Sequence, residues 1–238
     1  MELLKNLAKT INMEFNNHML TQFEQYYEML ISWNKKINLT SITNKKEIQL
    51  IHFFDSLTIY NEDCFNPVNG LKMADVGSGA GFPGIPLKLA FPSINLTLIE
   101  SVTKKTNFLE HLIDRLNLNN ITILNERIEH IATNTKYRET FDCVVSRGLA
   151  KLPTLAELTL PLLKLGGYSL CYKKGNINKE IKQADYPIKL LGGKLEKPYL
   201  INLDIFPDSR KIIKINKKSH SPEKYPRKAG IPQKRPLI

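Results

Sequence analysis

The sequence predicts an α/β fold in which a mostly parallel sheet ends in an antiparallel hairpin and a helical segment precedes it. Beyond residue 67, short apolar runs typical of strands alternate with segments of helical periodicity. A glycine-dense turn follows the first of these strands, at the edge where open parallel sheets bind their ligands. Residues 1–66 show helical patterns only. We therefore divide the chain into a helical segment 1–66 that packs on a sheet domain 67–215, and a basic, proline-containing tail 216–238.

The helical segment predicts two main helices. Thr21 and Glu24 have the spacing of a capping box, and apolar residues recur around them at helical intervals. These residues are Leu20, Phe23, Tyr27, Leu30 and Ile31. Asparagines interrupt the pattern over residues 33–40, and a second helix is predicted over residues 46–60.

The sheet domain predicts five strands followed by a hairpin. The strands cover residues 72–76, 95–100, 121–125, 141–146 and 168–172, and the clearest helix between them covers residues 104–116. Residues 199–205 and 211–215 flank a turn that contains Pro, Asp and Ser, which predicts an antiparallel pair. The tail contains four prolines and little apolar pattern. We expect it to form an extended, weakly ordered arm.

Charge is distributed unevenly along the chain. The formal net charge is +11, with 34 Lys and Arg residues against 23 Asp and Glu residues. The helical segment has a net charge of −2, the sheet domain +7 and the tail +6. A basic excess toward one end indicates a polyanionic partner, most simply a nucleic acid. A lysine-rich composition alone also produces a basic surface, so charge does not decide between these interpretations.

Composition also bears on location and metal binding. No apolar run approaches the roughly 20 residues that cross a bilayer, and the N-terminus lacks the apolar core of a signal peptide. The three cysteines are far apart and have no metal-binding spacing. We therefore expect a cytoplasmic protein with reduced thiols, no bound metal and no membrane partner.

The turn over residues 75–81 is the most informative stretch of the sequence. Glycine tolerates positive φ and places no side chain between the backbone and a ligand, so three glycines in five positions favour a ligand-binding loop. NAD, a phosphate and S-adenosylmethionine (SAM) all bind to loops of this kind. A Gly-x-Gly-x-x-Gly pattern begins at Gly79 and satisfies the dinucleotide motif literally. Phe82 and Pro83 argue against a pyrophosphate, because a bulky ring and a missing N–H disturb the helix start that would bind it.

Polar residues end the other predicted strands and so lie at the same edge of the sheet. Glu100 ends the second strand, at about the distance from the loop at which a carboxylate accepts ribose hydroxyls. Residues 126–129 follow the third strand and are placed to border an adenine ring. Arg147 ends the fourth strand, and Lys173 and Lys174 end the fifth. Each also has a simpler interpretation, as a solvated strand end or as part of a surface ion pair.

Several strings in the chain together resemble the RsmG family, also called glucose-inhibited division protein B. The longest is DVGSGAGFPGIPL from Asp75, and the others are Trp33-Asn34-Lys35, Asn38-Leu39-Thr40, His52-x-x-Asp55-Ser56 and Ser146-Arg147. The resemblance implies a class I SAM-dependent methyltransferase fold, SAM as cofactor, and methylation of guanine N7 in 16S rRNA. By position it implies SAM contacts at Gly77, Phe82, Ile128, Glu129 and Arg147. The reasoning from the loop and the strand ends adds Gly79 and Glu100.

The implied chemistry requires little from the protein beyond alignment. Guanine N7 has an available lone pair at neutral pH, so its methylation requires no general base, and orientation lowers the barrier. We expect Arg147 to orient the cofactor and the base. Basic residues are expected to contact RNA phosphates, namely Lys173, Lys174, Lys217, Lys218, Arg227, Lys228, Lys234 and Arg235. The expected partner is 16S rRNA or a small-subunit ribosomal particle, bound by a monomer.

Three alternatives stay open at the level of sequence. His52, Asp55 and Ser56 share one face of the second predicted helix. That face either borders the substrate entrance or locks the helical segment onto the sheet through a His52–Asp55 hydrogen bond. The protein as a whole could also be an NAD-binding oxidoreductase, or a non-catalytic module that binds RNA or assembling ribosomes.

Overall fold

Two units interleave along the chain in the computed structural model, which describes residues 1–60 and 64–238. The first unit comprises Met1–Leu71 and Ser78–Asn125, and the second comprises Lys72–Gly77 and Glu126–Ile238. Residues 61–63, which belong to the predicted helical segment 1–66, lie outside the described residues. The chain passes from the second unit to the first inside the glycine-dense turn, between Gly77 and Ser78.

The helices and strands have the following bounds. The α-helices are α1 (Glu2–Lys9), α2 (Asn17–Asn34), α3 (Lys45–Glu47), α4 (Asp55–Leu57), α5 (Gly84–Ala90), α6 (Thr103–Arg115), α7 (Ile128–Thr133), α8 (Leu152–Thr159), α9 (Asn178–Leu190) and α10 (Ile231–Lys234). The strands are β1 (Lys72–Val76), β2 (Asn95–Ile99), β3 (Ile121–Leu124), β4 (Phe141–Arg147), β5 (Leu163–Lys174), β6 (Gly193–Leu195), β7 (Tyr199–Ile201) and β8 (Arg210–Lys217). Within residues 1–60 and 64–238, no helix combines the length and the apolar character that crossing a membrane requires.

Helix α2 begins before the predicted capping box. Asn16 is its N-cap, and the Asn16 side chain accepts a hydrogen bond from the Met19 N–H at 2.9 Å. The Thr21 hydroxyl instead donates to the Asn17 carbonyl inside the helix. The predicted capping role of Thr21 is therefore wrong. The buried face of the helix carries Phe23, Tyr26 and Leu30, each with 0% exposure.

The second predicted helix is present, but its middle is not α-helical. Residues Ile48–Phe54 form a π-helical stretch that α3 and α4 flank. The helix starts after Asn44, whose side chain accepts hydrogen bonds from the N–H groups of Lys46 and Glu47. A π-helix bonds i to i+5 and has a wider turn. The prediction that His52, Asp55 and Ser56 share one face assumed α-helical spacing. That spacing does not apply to the π-helical stretch that contains His52.

The remainder of the first unit is a strand–helix–strand arrangement. Strands β2 and β3 run parallel, with Leu96 opposite Ile121 and Ile99 opposite Leu124. Helix α6 connects them and buries its apolar face, as the pattern over residues 104–116 predicted. The ends of β2 and β3 agree with the predicted strands to within one residue.

The second unit contains the strand order β1-β4-β5-β8-β6, with β7 also paired to β8. β1, β4 and β5 are parallel, and β8 is antiparallel to all of its neighbours. The antiparallel pair predicted around the turn at residues 206–210 is confirmed as β7 and β8. β8 also pairs with β5 and β6, which a local turn pattern does not predict. The sheet is therefore mixed and mostly parallel in its first part, as expected.

The tail does not form the extended, weakly ordered arm that its prolines predict. The Arg138 guanidinium donates to three of its carbonyls, those of Ser221, Pro222 and Tyr225. Arg227 makes a two-pronged ion pair with Glu157, whose side chain is 0% exposed. The prediction failed because these partners lie at least 70 positions away in the sequence.

Candidate active site

The glycine-dense turn adopts the backbone conformation that its composition predicts. Gly77, Gly79 and Gly81 have φ values of +71°, +58° and +94°, a region that residues with a Cβ rarely occupy. Space is limiting as well. A Cβ on Gly77 would lie 2.8 Å from Leu149 Cδ1, and a Cβ on Gly81 would lie 2.8 Å from the Tyr26 hydroxyl. The turn is thus a tightly packed loop that only glycine can build.

Glu100 is bound to the glycine turn. Its Oε2 accepts a hydrogen bond from the Gly79 N–H at 2.9 Å, and its Oε1 accepts one from the Val102 N–H at 2.9 Å. The residue is only 7% exposed. A carboxylate has about four lone-pair positions, so these two bonds leave acceptor capacity for ribose hydroxyls. The structure therefore brings together Gly79 and Glu100, two of the predicted cofactor residues.

Most N–H groups of the turn are already used inside the first unit. The Ser78 N–H donates to the Ile99 carbonyl at 3.2 Å, and those of Gly81 and Phe82 donate to the Ser78 carbonyl at 2.7 and 3.0 Å. A pyrophosphate needs several N–H groups directed at it. The turn does not supply such a set, whereas a nucleoside needs only close backbone approach and a carboxylate. The residues present therefore fit the adenosine part of SAM better than a dinucleotide.

Phe82 uses its ring within the protein. The ring is stacked with Tyr26, at 5.4 Å between centroids and 16° between planes, and with His52, at 4.7 Å and 15°. Phe82 is 8% exposed. Protein side chains therefore occupy much of the Phe82 ring, and the SAM contact implied for Phe82 stays a prediction. Tyr26 is a residue that the sequence reasoning missed, although it lies on the apolar face of a predicted helix.

The second unit holds the remaining predicted cofactor residues. Arg147 is the last residue of β4 and is half-buried, and Gly148 follows it with φ +68°. Ile128 and Glu129 open α7. The buried Glu129 carboxylate accepts a hydrogen bond from the Gly230 N–H in the tail at 2.8 Å. No local signal in the sequence links Gly230 to Glu129, since 101 positions separate them.

Three of the predicted RNA-binding residues have structural partners instead. Lys173 donates to the Ala150 carbonyl and to Glu180, and its side chain is 10% exposed. Lys217 is buried, where its ammonium lies 3.0 Å from the Glu139 carboxylate. Arg227 is paired with Glu157 as described above. Because these three side chains bind other groups of the protein, we no longer assign RNA phosphate contacts to Lys173, Lys217 and Arg227.

The other predicted RNA-binding residues lie on the surface of the second unit. Lys174 is 73% exposed and lies 3.7 Å from Asp208. The rest are in the tail and are exposed, namely Lys218, Lys228, Lys234 and Arg235. The tail backbone that carries these four residues is held by Arg138, by Glu129 of α7 and by Glu157 of α8.

Solved structures identify the class of the fold. A precorrin-6y C5,15-methyltransferase from Geobacter metallireducens is similar with a TM-score of 0.51 at 16% identity, covering 77% of this chain and 92% of that one. A fibrillarin pre-rRNA processing protein from Methanococcus jannaschii has a TM-score of 0.51 at 16% identity, covering 65% and 70%. The fold is therefore the Rossmann-like fold of class I SAM-dependent methyltransferases, as predicted.

Sequence relatives identify the family. The family model described as rRNA small subunit methyltransferase G matches residues 19–200. A ribosomal RNA small subunit methyltransferase G from Lachnoclostridium phytofermentans is 44% identical over 230 residues, covering 97% of this chain and 94% of the relative. One from Desulfitobacterium hafniense is 42% identical over 238 residues, covering 100% and 98%. The chain belongs to this family, and the expected resemblance is confirmed.

Proposed function

We propose that this protein transfers a methyl group from SAM to N7 of a guanine in 16S rRNA. Membership of the rRNA small subunit methyltransferase G family, over residues 19–200, carries the proposal. The Gly79–Glu100 contact supports it, because it holds a buried carboxylate beside the glycine turn, where it can accept ribose hydroxyls, without a pyrophosphate cradle. An NAD-dependent oxidoreductase would need that cradle.

The proposed chemistry is a direct displacement. SAM supplies a methyl group on a positively charged sulfur. The N7 lone pair of guanine attacks the methyl carbon while the carbon–sulfur bond breaks toward sulfur, and the positive charge passes from sulfur to the guanine ring. No proton has to be removed, so the protein contributes mainly by holding the reacting atoms in line.

The proposed cofactor contacts follow the residues that the loop, the strand ends and the family resemblance predict. In the first unit, Glu100 receives the ribose hydroxyls and the Phe82 backbone borders the cofactor. In the second unit, the Gly77 backbone, Ile128 and Glu129 contact it. Because the Glu129 carboxylate bonds to Gly230, we assign its cofactor contact to the backbone. Arg147, at the end of β4, orients the cofactor and the base.

We propose that RNA phosphates contact the exposed basic residues of the second unit: Lys174, Lys218, Lys228, Lys234 and Arg235. The proposed partner is 16S rRNA or a small-subunit particle, which implies a cytoplasmic location and no membrane partner. We propose that a monomer is the active form. Light scattering of the free protein and of its RNA complex tests the oligomeric state.

Calorimetry with SAM, its demethylated product and NADH tests the cofactor. We expect binding of the first two and none of NADH. Transfer of a labelled methyl group to naked 16S rRNA and to small-subunit particles then tests the reaction, with chemical cleavage at N7-methylguanine as the readout. SAM binding without transfer to either substrate would favour a non-catalytic module.

Glu100→Ala is the informative variant for the cofactor site. It removes the acceptor of two backbone N–H groups and of the ribose, so we expect loss of measurable SAM binding. The matched control is Glu110→Ala, because Glu110 is an exposed glutamate on α6 in the same unit. Equal SAM affinity in both variants would contradict the role of Glu100.

A further inference from the structure

Asn34 organises the loop that follows α2. Its Oδ1 accepts hydrogen bonds from the N–H groups of Leu39 and Thr40 at 2.8 and 3.0 Å. Its Nδ2 donates to the Thr40 carbonyl at 2.8 Å. The Asn34 side chain thus closes residues 34–40 into a compact loop, which gives this asparagine a structural role at the end of α2.

The loop in turn holds His52. The Thr40 hydroxyl and His52 Nε2 form a hydrogen bond of 2.7 Å. The same hydroxyl accepts from the Ile42 N–H at 3.0 Å, so it has a fixed direction. His52 belongs to the π-helical stretch, and the Ser56 hydroxyl donates to its carbonyl at 2.6 Å.

The His52 ring stacks with Phe82, 4.7 Å between centroids, and Tyr26 stacks with the same ring. The Tyr26 hydroxyl also donates to the Ala80 carbonyl. The Phe82 N–H donates to the Ser78 carbonyl. Side chains from α2 and from the π-helical stretch therefore hold both the backbone and the aromatic residue of the glycine turn.

We propose that Tyr26, Thr40 and His52 are positioning residues for the methyl donor. They fix Phe82, and through it the backbone of residues 78–82 against which the cofactor lies. They act without touching the cofactor themselves. The inference rests on the proposed function for the identity of the ligand, but the preorganisation of the turn is a property of the free protein.

A histidine suits position 52 because its ring has a face that stacks and an edge nitrogen that accepts or donates. The face contacts Phe82 and the nitrogen bonds to Thr40. Phenylalanine would keep the stacking and lose the bond, whereas alanine would lose both.

Substitutions at these positions test the proposal by SAM affinity. His52→Ala is expected to weaken SAM binding by about two- to thirtyfold, the range found for residues that change binding without touching the ligand. Thr40→Val is expected to weaken SAM binding less than His52→Ala does. Thr40→Ser keeps the hydroxyl and is expected to bind SAM with wild-type affinity. The matched control is Phe91→Leu, because Phe91 packs against Tyr60 and Phe65 in the same unit. It should lower the melting temperature and leave SAM affinity unchanged.

Hydrogen exchange in the absence of SAM tests the same proposal independently. The amides of Gly81 and Phe82 should exchange about tenfold faster in His52→Ala than in the wild type or in Phe91→Leu, because the turn is less constrained. Unchanged exchange at these amides would overturn the proposal, as would unchanged SAM affinity of a folded His52→Ala variant. Faster exchange in a protein whose wild type binds no SAM would instead contradict the proposed function and leave standing only the role of these residues in ordering the turn.

Discussion

Gly81 shows how two independent constraints meet at one residue. Its φ of +94° disfavours any side chain, and a Cβ there would lie 2.8 Å from both Ile85 Cγ1 and the Tyr26 hydroxyl. Gly148 shares the first constraint, with φ +68°, but nothing lies within 4 Å of its Cβ position. A comparison of alanine substitutions at the two glycines therefore distinguishes the cost of the backbone conformation from the cost of close packing.

Gly81→Ala should lower the free energy of unfolding by about 3 kcal/mol, of which about 1–2 kcal/mol is the left-handed backbone and the rest is overpacking. Gly148→Ala should lower it by about 1–2 kcal/mol, from the backbone alone. Urea denaturation of both variants measures the difference. Equal losses would show that the contact with Tyr26 does not constrain the turn.

Lys217 and Glu139 form a second residue-scale feature. Burial lowers the pKa of Lys217, and the nearby Glu139 carboxylate opposes that shift. Burial would raise the pKa of Glu139, but hydrogen bonds from His220, Ser221 and Lys217 lower it overall. The lysine that charge alone assigned to RNA is thus part of the core of the second unit.

Because the pKa of Glu139 is lower in the folded state than its ordinary 4.5, its contribution to stability is present above about pH 4.5 and is lost as the pH falls through the folded-state pKa. Glu139→Gln should cost about 1–3 kcal/mol at pH 7. The gap to the wild type should narrow at pH values below 4.5. Urea denaturation at several pH values tests this, and a gap that stays constant into acid would refute it.

At the scale of elements, the tail is a structural part of the second unit. Arg227 is anchored on the buried Glu157, and the Gly230 N–H on Glu129 at the start of α7. The tail therefore presents exposed lysines from a fixed backbone, and it also supports a helix that belongs to the proposed cofactor site.

Arg227→Ala should lower the free energy of unfolding by about 3–5 kcal/mol, because it leaves the Glu157 carboxylate buried without its partner. Lys228→Ala is the neighbouring control and should stay within about 0.5 kcal/mol of the wild type, since Lys228 is exposed. Calorimetric melting compares the two. A small loss in Arg227→Ala would mean that the ion pair does not hold the tail.

Removing residues 229–238 should weaken SAM binding as well as RNA binding. The deletion takes away the Gly230 N–H that fixes Glu129, together with Lys234 and Arg235. We expect SAM affinity to fall about two- to tenfold, which corresponds to the net free energy of one hydrogen bond. Calorimetry with SAM on the truncated protein measures this. Full SAM affinity with reduced RNA binding would restore the view of the tail as an independent arm.

At the scale of the whole molecule, the charge of +11 is concentrated in the sheet domain and the tail. Phosphate contacts make RNA affinity depend steeply on salt, because each one releases a counterion. The five exposed residues proposed as contacts should therefore account for much of that dependence.

Replacing Lys228, Lys234 and Arg235 by alanine should reduce the slope of log affinity against log salt by about 2, since each lost contact in single-stranded RNA removes about 0.7. Filter binding of 16S rRNA over a range of salt concentrations measures the slope. Lys189→Ala is the control, because Lys189 is also exposed but pairs with Asp185 on α9. An unchanged slope in the triple variant would place the RNA elsewhere.

Local sequence patterns were sufficient to predict the central strands of the fold and the glycine turn of the candidate site. Apolar runs located β1 to β4 to within about two residues, because strands and turns depend on neighbours in the chain. The glycines of the turn were recognised for the same reason, since positive φ is a property of a single residue. The position of Glu100 beside the turn could be predicted because its distance from the turn along the chain is set by the connection between two neighbouring strands.

The partners of charged and polar groups were decided only by the tertiary structure. The pairs Glu129–Gly230 and Glu157–Arg227 join positions 101 and 70 residues apart, and burial of Lys217 depends on strands that pair through the whole second unit. A charge has the same sequence signature whether it is solvated or buried. Its role follows from which groups the folded chain brings within hydrogen-bond distance, and that is why sequence reasoning predicted the tail wrongly and left the role of His52 open.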